Sequence, residues 1–260
     1  MTSRRRFVGT VLGTAALTVA ASRASGARQG TRPGAQRRHI LVLDVIETML
    51  DLNTLQPHFV RAFGDGQVLR EWFANLLLYS NVATVAGPYA DFGAIAGAVL
   101  DMTAAAHGKT LSADDRGRIL QGTLTLPPHP DVKDGLQRLK AAGFRLVTLT
   151  NSAPSTVAQQ LKNAGLTDFF ERAFSVDAVK KFKPSADAYQ YVARELGVMP
   201  ADLRMIAAHS WDIVGAMRAG LAAAFVSRPG HALFPLGPTP DITAADLRAV
   251  ADRLIATEPR

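Results

Sequence analysis

Short runs rich in Val, Leu and Ile alternate along this chain with segments of helical periodicity, and this alternation constrains the fold more than any other feature. Runs that are apolar throughout are typical of strands buried on both faces of a parallel sheet. The candidate strands are residues 40–45, 145–150, 172–176, 205–208 and 223–227. The sequence therefore predicts an α/β fold: a doubly wound, Rossmann-like parallel sheet with helices on both faces.

Four segments between these strands run helically to a glycine: HPDVKDGLQRLKAAG, SAPSTVAQQLKNAG, PSADAYQYVARELG and WDIVGAMRAG. Glycine adopts left-handed backbone angles at little cost, so it suits the residue that ends a helix. These segments are the predicted connecting helices of the sheet.

The interval between the first two strands is too long for one connection. About 100 residues separate them, whereas a crossover needs only about a dozen. Helical patterns lie near residues 55–63, 68–80, 89–107 and 112–124. We therefore predict a core of residues 39–53 and 126–260 and a helical cap of residues 54–125. The cap should lie over the carboxyl ends of the strands, where open sheets bind ligands.

Residues 1–27 have the pattern of an export signal, with a basic start, an apolar stretch and small residues near Ala27. The string SRRRF resembles the twin-arginine motif. Residues 28–38 form a polar linker that contains glycine and proline. We expect export to the periplasm or the exterior. The apolar stretch, residues 7–21, is shorter than the ~20 residues of a membrane span, so no stable membrane insertion is expected after cleavage.

The basic charge of the chain belongs to this leader. The whole chain has a formal charge of +7, but residues 1–38 contain eight arginines and no acid, which leaves −1 for residues 39–260. The charge therefore gives no reason to expect a nucleic-acid partner. The chain has no cysteine, so disulfides are excluded.

Polar side chains follow the predicted strands where each strand ends. Because the carboxyl ends of parallel strands meet at one edge of the sheet, these side chains are candidates for a common site. They are Asp44 and Thr48 after the first strand, Thr150 and Asn151 at the second, Lys183 beyond the third, and His209 and Asp212 after the fourth. Each alone also fits a helix cap or a solvated loop, whereas four matching strand ends favour a site.

Four segments resemble motifs of the haloacid dehalogenase superfamily, in order and over about residues 39–230. They are DVIETMLDL, LVTLTNSAP, SVDAVKKFKPSADAY, and VGAMRAG preceded by AAHSWD. Within the superfamily, the chain resembles the type II 2-haloacid dehalogenases most. In related phosphatases a second aspartate, two residues after the nucleophile, is the general acid, and Ile46 holds that place here.

The resemblance implies a reaction and a set of roles. Asp44 would attack the α-carbon of a small-molecule 2-haloacid and expel halide, and water would then hydrolyse the resulting ester. Lys183 would keep Asp44 ionised, and Asp212 would balance Lys183 and help to activate the water. No metal and no cofactor is expected. The implied substrate-binding residues are Thr48, Phe73, Thr150, Asn151, Tyr189, His209 and Trp211.

Three positions in and beside this set depart from the family pattern. Phe73 stands where the cap is expected to hold an arginine, although Arg70 lies one helical turn earlier. His209 replaces an expected asparagine, and Ala207 an expected serine. Two alternatives therefore stay open: a magnesium-dependent phosphatase, which Ile46 disfavours, and an exported, non-catalytic binding protein on a decayed fold. A homodimer formed through the cap is also left open.

Overall fold

The computed structural model describes residues 40–258, and the predicted signal peptide and linker lie outside them. Six strands form one sheet, ordered β3-β2-β1-β4-β5-β6, in which every pair is parallel. The strands are β1 Ile40–Leu43, β2 Arg145–Thr150, β3 Arg172–Ser175, β4 Leu203–Ala207, β5 Ala222–Val226 and β6 Ile242–Ala244. The predicted doubly wound parallel sheet is confirmed. Strand β6 was not among the five predicted strands.

Nine helices accompany the sheet in the described part of the chain. They are α1 Gln56–Phe63, α2 Val68–Ala86, α3 Phe92–Ala106, α4 Ala113–Gly122, α5 Val132–Ala141, α6 Pro154–Ala164, α7 Ala186–Leu196, α8 Ser210–Arg218 and α9 Leu247–Thr257. Short 3-10 turns lie at Leu52–Leu55, Thr167–Phe169, Val176–Ala178 and Pro200–Asp202. No helix among residues 40–258 has the length and apolar character that a bilayer span requires.

The strands of the sheet form because their side chains are buried on both faces. All residues of β1 and β4 are buried; β1 is apolar throughout, whereas β4 also contains Arg204, which is paired with Asp241 and Glu258. Strand order runs outward from β1 to β3 and then from β4 to β6, so right-handed crossovers place the helices of the two halves on opposite faces. The order reverses between β1 and β4, and the carboxyl ends of these strands frame the crevice where such sheets bind ligands.

Helices α1–α4 occupy the long interval between β1 and β2, at the places predicted for the cap helices. Helix α2 packs on α3, and the indole Nε1 of Trp72 donates to the carbonyl of Ala96 at 3.0 Å. The ring of Phe59 on α1 lies 5.5 Å from that of Trp72. These buried contacts join the cap helices to one another, and their apolar side chains belong to the same buried cluster as those of the sheet.

Glycines end the predicted connecting helices as the sequence indicates. Gly165 and Gly197 cap α6 and α7 with φ values of 64° and 66°. Gly215 on α8 has a different reason, which is close packing. A Cβ there would lie 2.5 Å from the Pro184 Cβ and 2.6 Å from the Tyr189 hydroxyl, so only glycine lets α8 approach this segment.

Candidate active site

Asp44 lies directly after β1, at the point where the strand order reverses. Its backbone N–H donates to the carbonyl of Ile206 on β4 at 3.0 Å, so the acid is fixed to both central strands. The hydroxyl of Thr48 donates to Asp44 Oδ2 at 2.7 Å and accepts from the backbone N–H of Ala208 at 2.8 Å. Thr48 therefore ties the turn after β1 to the end of β4 and hydrogen-bonds the predicted nucleophile.

Lys183 lies between two buried acids. Its Nζ donates to Asp44 Oδ1 at 2.7 Å, to Asp212 Oδ2 at 2.6 Å and to the Leu149 carbonyl at 3.0 Å, which satisfies all three of its hydrogens. Burial alone would lower the pKa of Lys183, but the two carboxylates outweigh burial and raise it. The predicted association of Asp44, Lys183 and Asp212 is thus present in the structure.

Asp44 remains a carboxylate although only 5% of it is exposed. Burial would raise its pKa, but the Lys183 ammonium and the His209 ring hold that pKa well below its usual range. Asp44 is therefore available as an anionic nucleophile in a site with little water, where a carboxylate is least masked by solvation.

Asp212 and Tyr189 form a buried pair behind Lys183. The Tyr189 hydroxyl donates to Asp212 Oδ1 at 2.7 Å, and both residues are 0% exposed. Burial and the nearby Asp212 raise the pKa of Tyr189 well above its usual value, so the phenol keeps its proton. The expectation that Tyr189 faces the substrate pocket is wrong. It supports Asp212 from the opposite side instead.

Thr150 and Asn151 hydrogen-bond to the backbone of neighbouring segments, and their predicted contact with substrate stays a prediction. The Thr150 hydroxyl accepts from the backbone N–H of Ser152 at 3.2 Å, and Asn151 Oδ1 accepts from the backbone N–H of Lys183 at 3.0 Å. Neither has a hydrogen bond to Asp44 within residues 40–258. Asn151 therefore positions Lys183, and Thr150 stabilises the turn after β2.

His209 is held between two carboxylates. Its Nδ1 lies 3.3 Å from Asp44 Oδ2, and its Nε2 lies 2.7 Å from Glu47 Oε2. Burial would lower the pKa of His209, but these two carboxylates raise it to about 9. Correspondingly, burial would raise the pKa of Glu47, but His209 and His231 lower it to about 2. The free site therefore contains an imidazolium.

Sequence reasoning missed Glu47 and His231. His231 Nε2 lies 3.4 Å from Glu47 Oε1, and the ring centroids of His231 and His209 are 5.1 Å apart. His231 follows β5 as the other site residues follow their strands, so extending the search to the fifth strand would have found it. Nothing in the sequence around Glu47 indicates the positive φ of 63° that turns its carboxylate toward His209.

The donor atoms of Glu47, His209 and His231 lie within 4.8 Å of one another, a grouping of the kind that binds divalent ions in other proteins. Here the Glu47 carboxylate is paired directly with both imidazole rings. Hydrogen bonding satisfies these groups, and we assign them no metal.

A cavity of about 390 Å³ adjoins this cluster. Its wall combines apolar side chains with the charged and polar groups of Arg70, Glu47, His209 and His231; the apolar members include Leu69, Phe73, Leu77 and Trp211. Phe73 is 6% exposed, and its ring centroid lies 6.2 Å from that of His209. Trp211 stacks on His209 with the ring centroids 4.9 Å apart. The predicted placement of Phe73, His209 and Trp211 at the pocket agrees with the structure.

Arg70 lines the same cavity as Phe73, one helical turn earlier on α2. Its guanidinium is exposed and has no ion pair with any residue in the range 40–258. It lies close to the backbone of Gly230, where Nη1 would be 3.3 Å from a Cβ built on that glycine. Arg70 is therefore an unpaired cation at the rim of the pocket.

A buried ion pair holds the nucleophile turn from behind. The Arg228 guanidinium donates to both oxygens of Asp131, at 2.6 and 3.0 Å, and to the backbone carbonyl of Thr48 at 2.8 Å. Asp131 Oδ2 also accepts from the Leu247 N–H at 2.7 Å. This pair links the nucleophile turn to α9, and sequence reasoning did not identify it.

The family model for haloacid dehalogenase-like hydrolases matches residues 40–220. An (S)-2-haloacid dehalogenase of Xanthobacter autotrophicus is 32% identical over 190 residues, which are 72% of this chain and 74% of that protein. One from Pseudomonas sp. strain YL is 28% identical over 214 residues, 82% and 92% of the two chains. The structure of L-2-haloacid dehalogenase from Xanthobacter autotrophicus matches with a TM-score of 0.79 at 27% identity and covers 84% of this chain and 98% of its own.

Proposed function

The chain belongs to the haloacid dehalogenase-like hydrolases, and from that premise we propose that it hydrolyses the carbon–halogen bond of 2-haloacids through an ester on Asp44. The single observation that carries the proposal is the buried Asp44–Lys183 ion pair, 2.7 Å long, at the carboxyl end of the central strand. It supplies an ionised carboxylate without a hydration shell, which is what a displacement at carbon requires.

The first step forms a bond between an Asp44 oxygen and the α-carbon as the bonding electrons leave with the halide. The leaving halide needs no proton, so the apolar Ile46, two residues after the nucleophile, is no obstacle. Water then attacks the aspartyl carbonyl carbon and releases the hydroxyacid. The α-carbon undergoes one displacement, so inversion of its configuration should result.

Relatives of this chain that are named as (S)-2-haloacid dehalogenases support the same chemistry. The X. autotrophicus enzyme has also been solved with chloropropionic acid covalently bound, and that structure matches this chain with a TM-score of 0.77 at 27% identity. A covalently held acid in a fold of this kind agrees with an ester on the acid after β1.

The two alternative functions fit the site less well. A phosphatase of this family would need a general acid at the place of Ile46, and that side chain is apolar. A non-catalytic binding protein would not need Asp44, Lys183 and Asp212 to be held together inside the protein, where unpaired charges are costly.

The pocket supports acids larger than chloroacetate as the preferred substrates. Phe73 replaces the expected arginine, and Arg70 and the His209 imidazolium lie with His231 and Glu47 around a cavity of about 390 Å³. A substrate carboxylate bound by Arg70 at the rim would leave its apolar part against Phe73 and Trp211. The pocket thus favours 2-haloacids with a longer or bulkier side chain.

Export remains part of the proposal and rests on the leader sequence alone, with SRRRF before a short apolar stretch. The protein would then act in the periplasm or outside the cell. The absence of cysteine is consistent with folding before transport.

Halide release from a panel of 2-haloacids, with and without chelator and beside a generic phosphate ester, tests the proposed activity. We expect halide release that survives chelation, together with no phosphate release. Activity that chelation abolishes and magnesium restores would favour the phosphatase, and no activity on any substrate would favour the binding protein.

A further inference from the structure

His209 lies in the position of a general base for the second step. One ring nitrogen, Nδ1, faces the Asp44 carboxylate at 3.3 Å, and the other, Nε2, is 2.7 Å from Glu47. A carboxylate that fixes one imidazole nitrogen leaves the other directed at the reacting group. The ring is held in this orientation by Trp211, which stacks on it, and by Phe73.

The backbone at Glu47 indicates that this carboxylate is placed for function. Glu47 has φ 63°, an angle at which residues other than glycine are uncommon and carry a conformational cost. The turn is held by the Glu47 N–H, which donates to the Leu50 carbonyl at 2.8 Å, and by the His129 Nε2, 3.0 Å from the Glu47 carbonyl. A strained residue that places an acid against a buried histidine is typical of a functional site.

Asp212, the residue that family resemblance suggests for activating water, is poorly placed to accept a proton. Its Oδ2 is bound by Lys183 at 2.6 Å and its Oδ1 by the Tyr189 hydroxyl at 2.7 Å. Burial raises the pKa of Asp212, but the residue is 0% exposed and both of its oxygens already accept hydrogen bonds, whereas Glu47 and His209 line the cavity. Asp212 therefore serves to hold Lys183, and the water needs another base.

We propose that His209 is the general base that hydrolyses the Asp44 ester, and that Glu47 is its positioning residue. This inference rests on the proposed dehalogenase function. Alkylation removes the charge of Asp44. The His209 imidazolium is then left with Glu47 as its anionic partner, and it releases one proton to solvent through the cavity. Nδ1 then carries a lone pair toward the ester while Nε2–H stays on Glu47.

The hydrolysis balances as follows. Nδ1 takes a proton from water as the water oxygen bonds to Cγ of Asp44. The bond between Cγ and the ester oxygen breaks, and the departing alkoxide takes the proton from His209 to become the hydroxyacid. The second proton of the water leaves the regenerated Asp44 carboxyl for His209. The net products are the hydroxyacid, halide and one proton.

Transient kinetics on His209→Asn tests the proposal. Asparagine, the residue that the family pattern places here, keeps hydrogen-bonding capacity but cannot accept a proton at neutral pH, so rapid ester hydrolysis by this variant would have to use Asp212 or another group. With 2-chloropropionate, we expect the variant to release about one halide per site in a burst, after which turnover falls roughly 10²–10⁴-fold, the usual contribution of a general base. Intact mass and peptide mapping should show the acid ester accumulating on Asp44, where the wild type accumulates little.

Glu47→Gln should slow ester breakdown, leave the burst rate unchanged, and be partly rescued by Glu47→Asp. A purely structural role would slow both steps. His107 and Glu71 form a similar pair, 2.8 Å apart and partly exposed on the cap, so His107→Asn is the matched control and should keep wild-type kinetics.

Two results would overturn the assignment of His209 as the base. One is ester hydrolysis by His209→Asn at the wild-type rate. The other is a folded His209→Asn variant that forms no ester while the wild type turns over, which would place His209 in the first step. Absence of halide release by the wild type is a different outcome, because it refutes the dehalogenase function itself.

Discussion

The Lys183 ammonium lies 2.7 Å from Asp44 Oδ1, and only 1% and 7% of their side-chain surfaces are exposed. Because the two side chains are buried, the attraction between their charges is little screened, and Asp44 stays ionised in the absence of substrate. Lys183 is also 2.6 Å from Asp212, so it remains paired when Asp44 is consumed as an ester. Lys183 therefore keeps an anionic partner, Asp212, when alkylation removes the charge of Asp44.

Replacement of the nucleophile should remove activity and spare the fold. Asp44→Asn keeps the size of the side chain and a hydrogen bond with Thr48, and Lys183 keeps Asp212 as its partner. We expect halide release to fall to the uncatalysed background, because an amide is a far weaker nucleophile than a carboxylate. Halide assays and circular dichroism together check this. Retained turnover with an unchanged spectrum would refute the covalent mechanism.

Alkaline pH should destabilise the folded protein through His209. Its pKa is raised from 6.5 to about 9 in the folded state, because Asp44 and Glu47 outweigh the effect of burial. The folded state therefore binds the proton more tightly than the unfolded chain. This stabilisation is complete below pH 6.5 and is lost as the pH rises through about 9.

Urea unfolding measures this loss directly. Between roughly neutral pH and about pH 10, the free energy of unfolding should fall by on the order of 1–3 kcal/mol, since each pKa unit corresponds to about 1.4 kcal/mol. His209→Asn should show a smaller fall over the same range, which separates His209 from other groups that titrate there. Equal falls in both proteins would contradict the imidazolium assignment.

The buried Arg228–Asp131 pair should carry a large share of the stability. Asp131→Ala leaves the Arg228 guanidinium, which is 7% exposed, without its anionic partner, and such losses typically cost about 3–5 kcal/mol. Catalysis should weaken as well, because Arg228 also holds the Thr48 carbonyl. The matched control is Asp134→Ala, which breaks an exposed pair with Arg138 and should cost less than about 1 kcal/mol. Similar unfolding free energies for the two variants would be evidence against this role.

Sequence patterns predicted the sheet and the charged centre because both depend on local signals. Long apolar runs mark the central strands, and Asp44 and Lys183 follow strands that end at the same edge. Strand β6, Ile242–Ala244, escaped notice because three residues are too few to show periodicity. Helix α9 was likewise not predicted.

The remaining differences arise from contacts that sequence spacing cannot specify. Tyr189 lies six residues after Lys183, but the direction of its side chain depends on how closely α8 approaches at Gly215. The pairing of Glu47 with His209 depends on a positive φ that a glutamate rarely adopts. Motifs can therefore identify the reacting acid and its lysine, whereas the orientation of the supporting residues requires coordinates.

Phe73 should determine which acids the pocket accepts. It is 6% exposed, and beside the cavity it also lines a smaller pocket with Ile46 and Phe92. Without a guanidinium at this place, Arg70 at the rim is left as the arginine for the substrate carboxylate, and the site lacks a second charge-assisted contact of a kind worth about 1.5–3 kcal/mol per hydrogen bond. Chloroacetate should therefore bind weakly, and longer 2-haloacids should do relatively better because they contact Phe73 and Trp211.

Phe73→Arg should raise kcat/KM for chloroacetate by roughly tenfold or more, since about 1.4 kcal/mol corresponds to a factor of ten. Most of the gain should be in KM, because the new cation binds the carboxylate in the ground state as well as in the transition state. The control is Arg70→Gln, which should weaken the wild type on longer 2-haloacids if Arg70 binds the carboxylate at the rim. Steady-state kinetics of the wild type, Phe73→Arg and Arg70→Gln on chloroacetate and on a longer 2-haloacid measure both effects. A wild type already efficient on chloroacetate, or a folded Phe73→Arg variant with no gain on it, would show that Phe73 only packs the cap against the core.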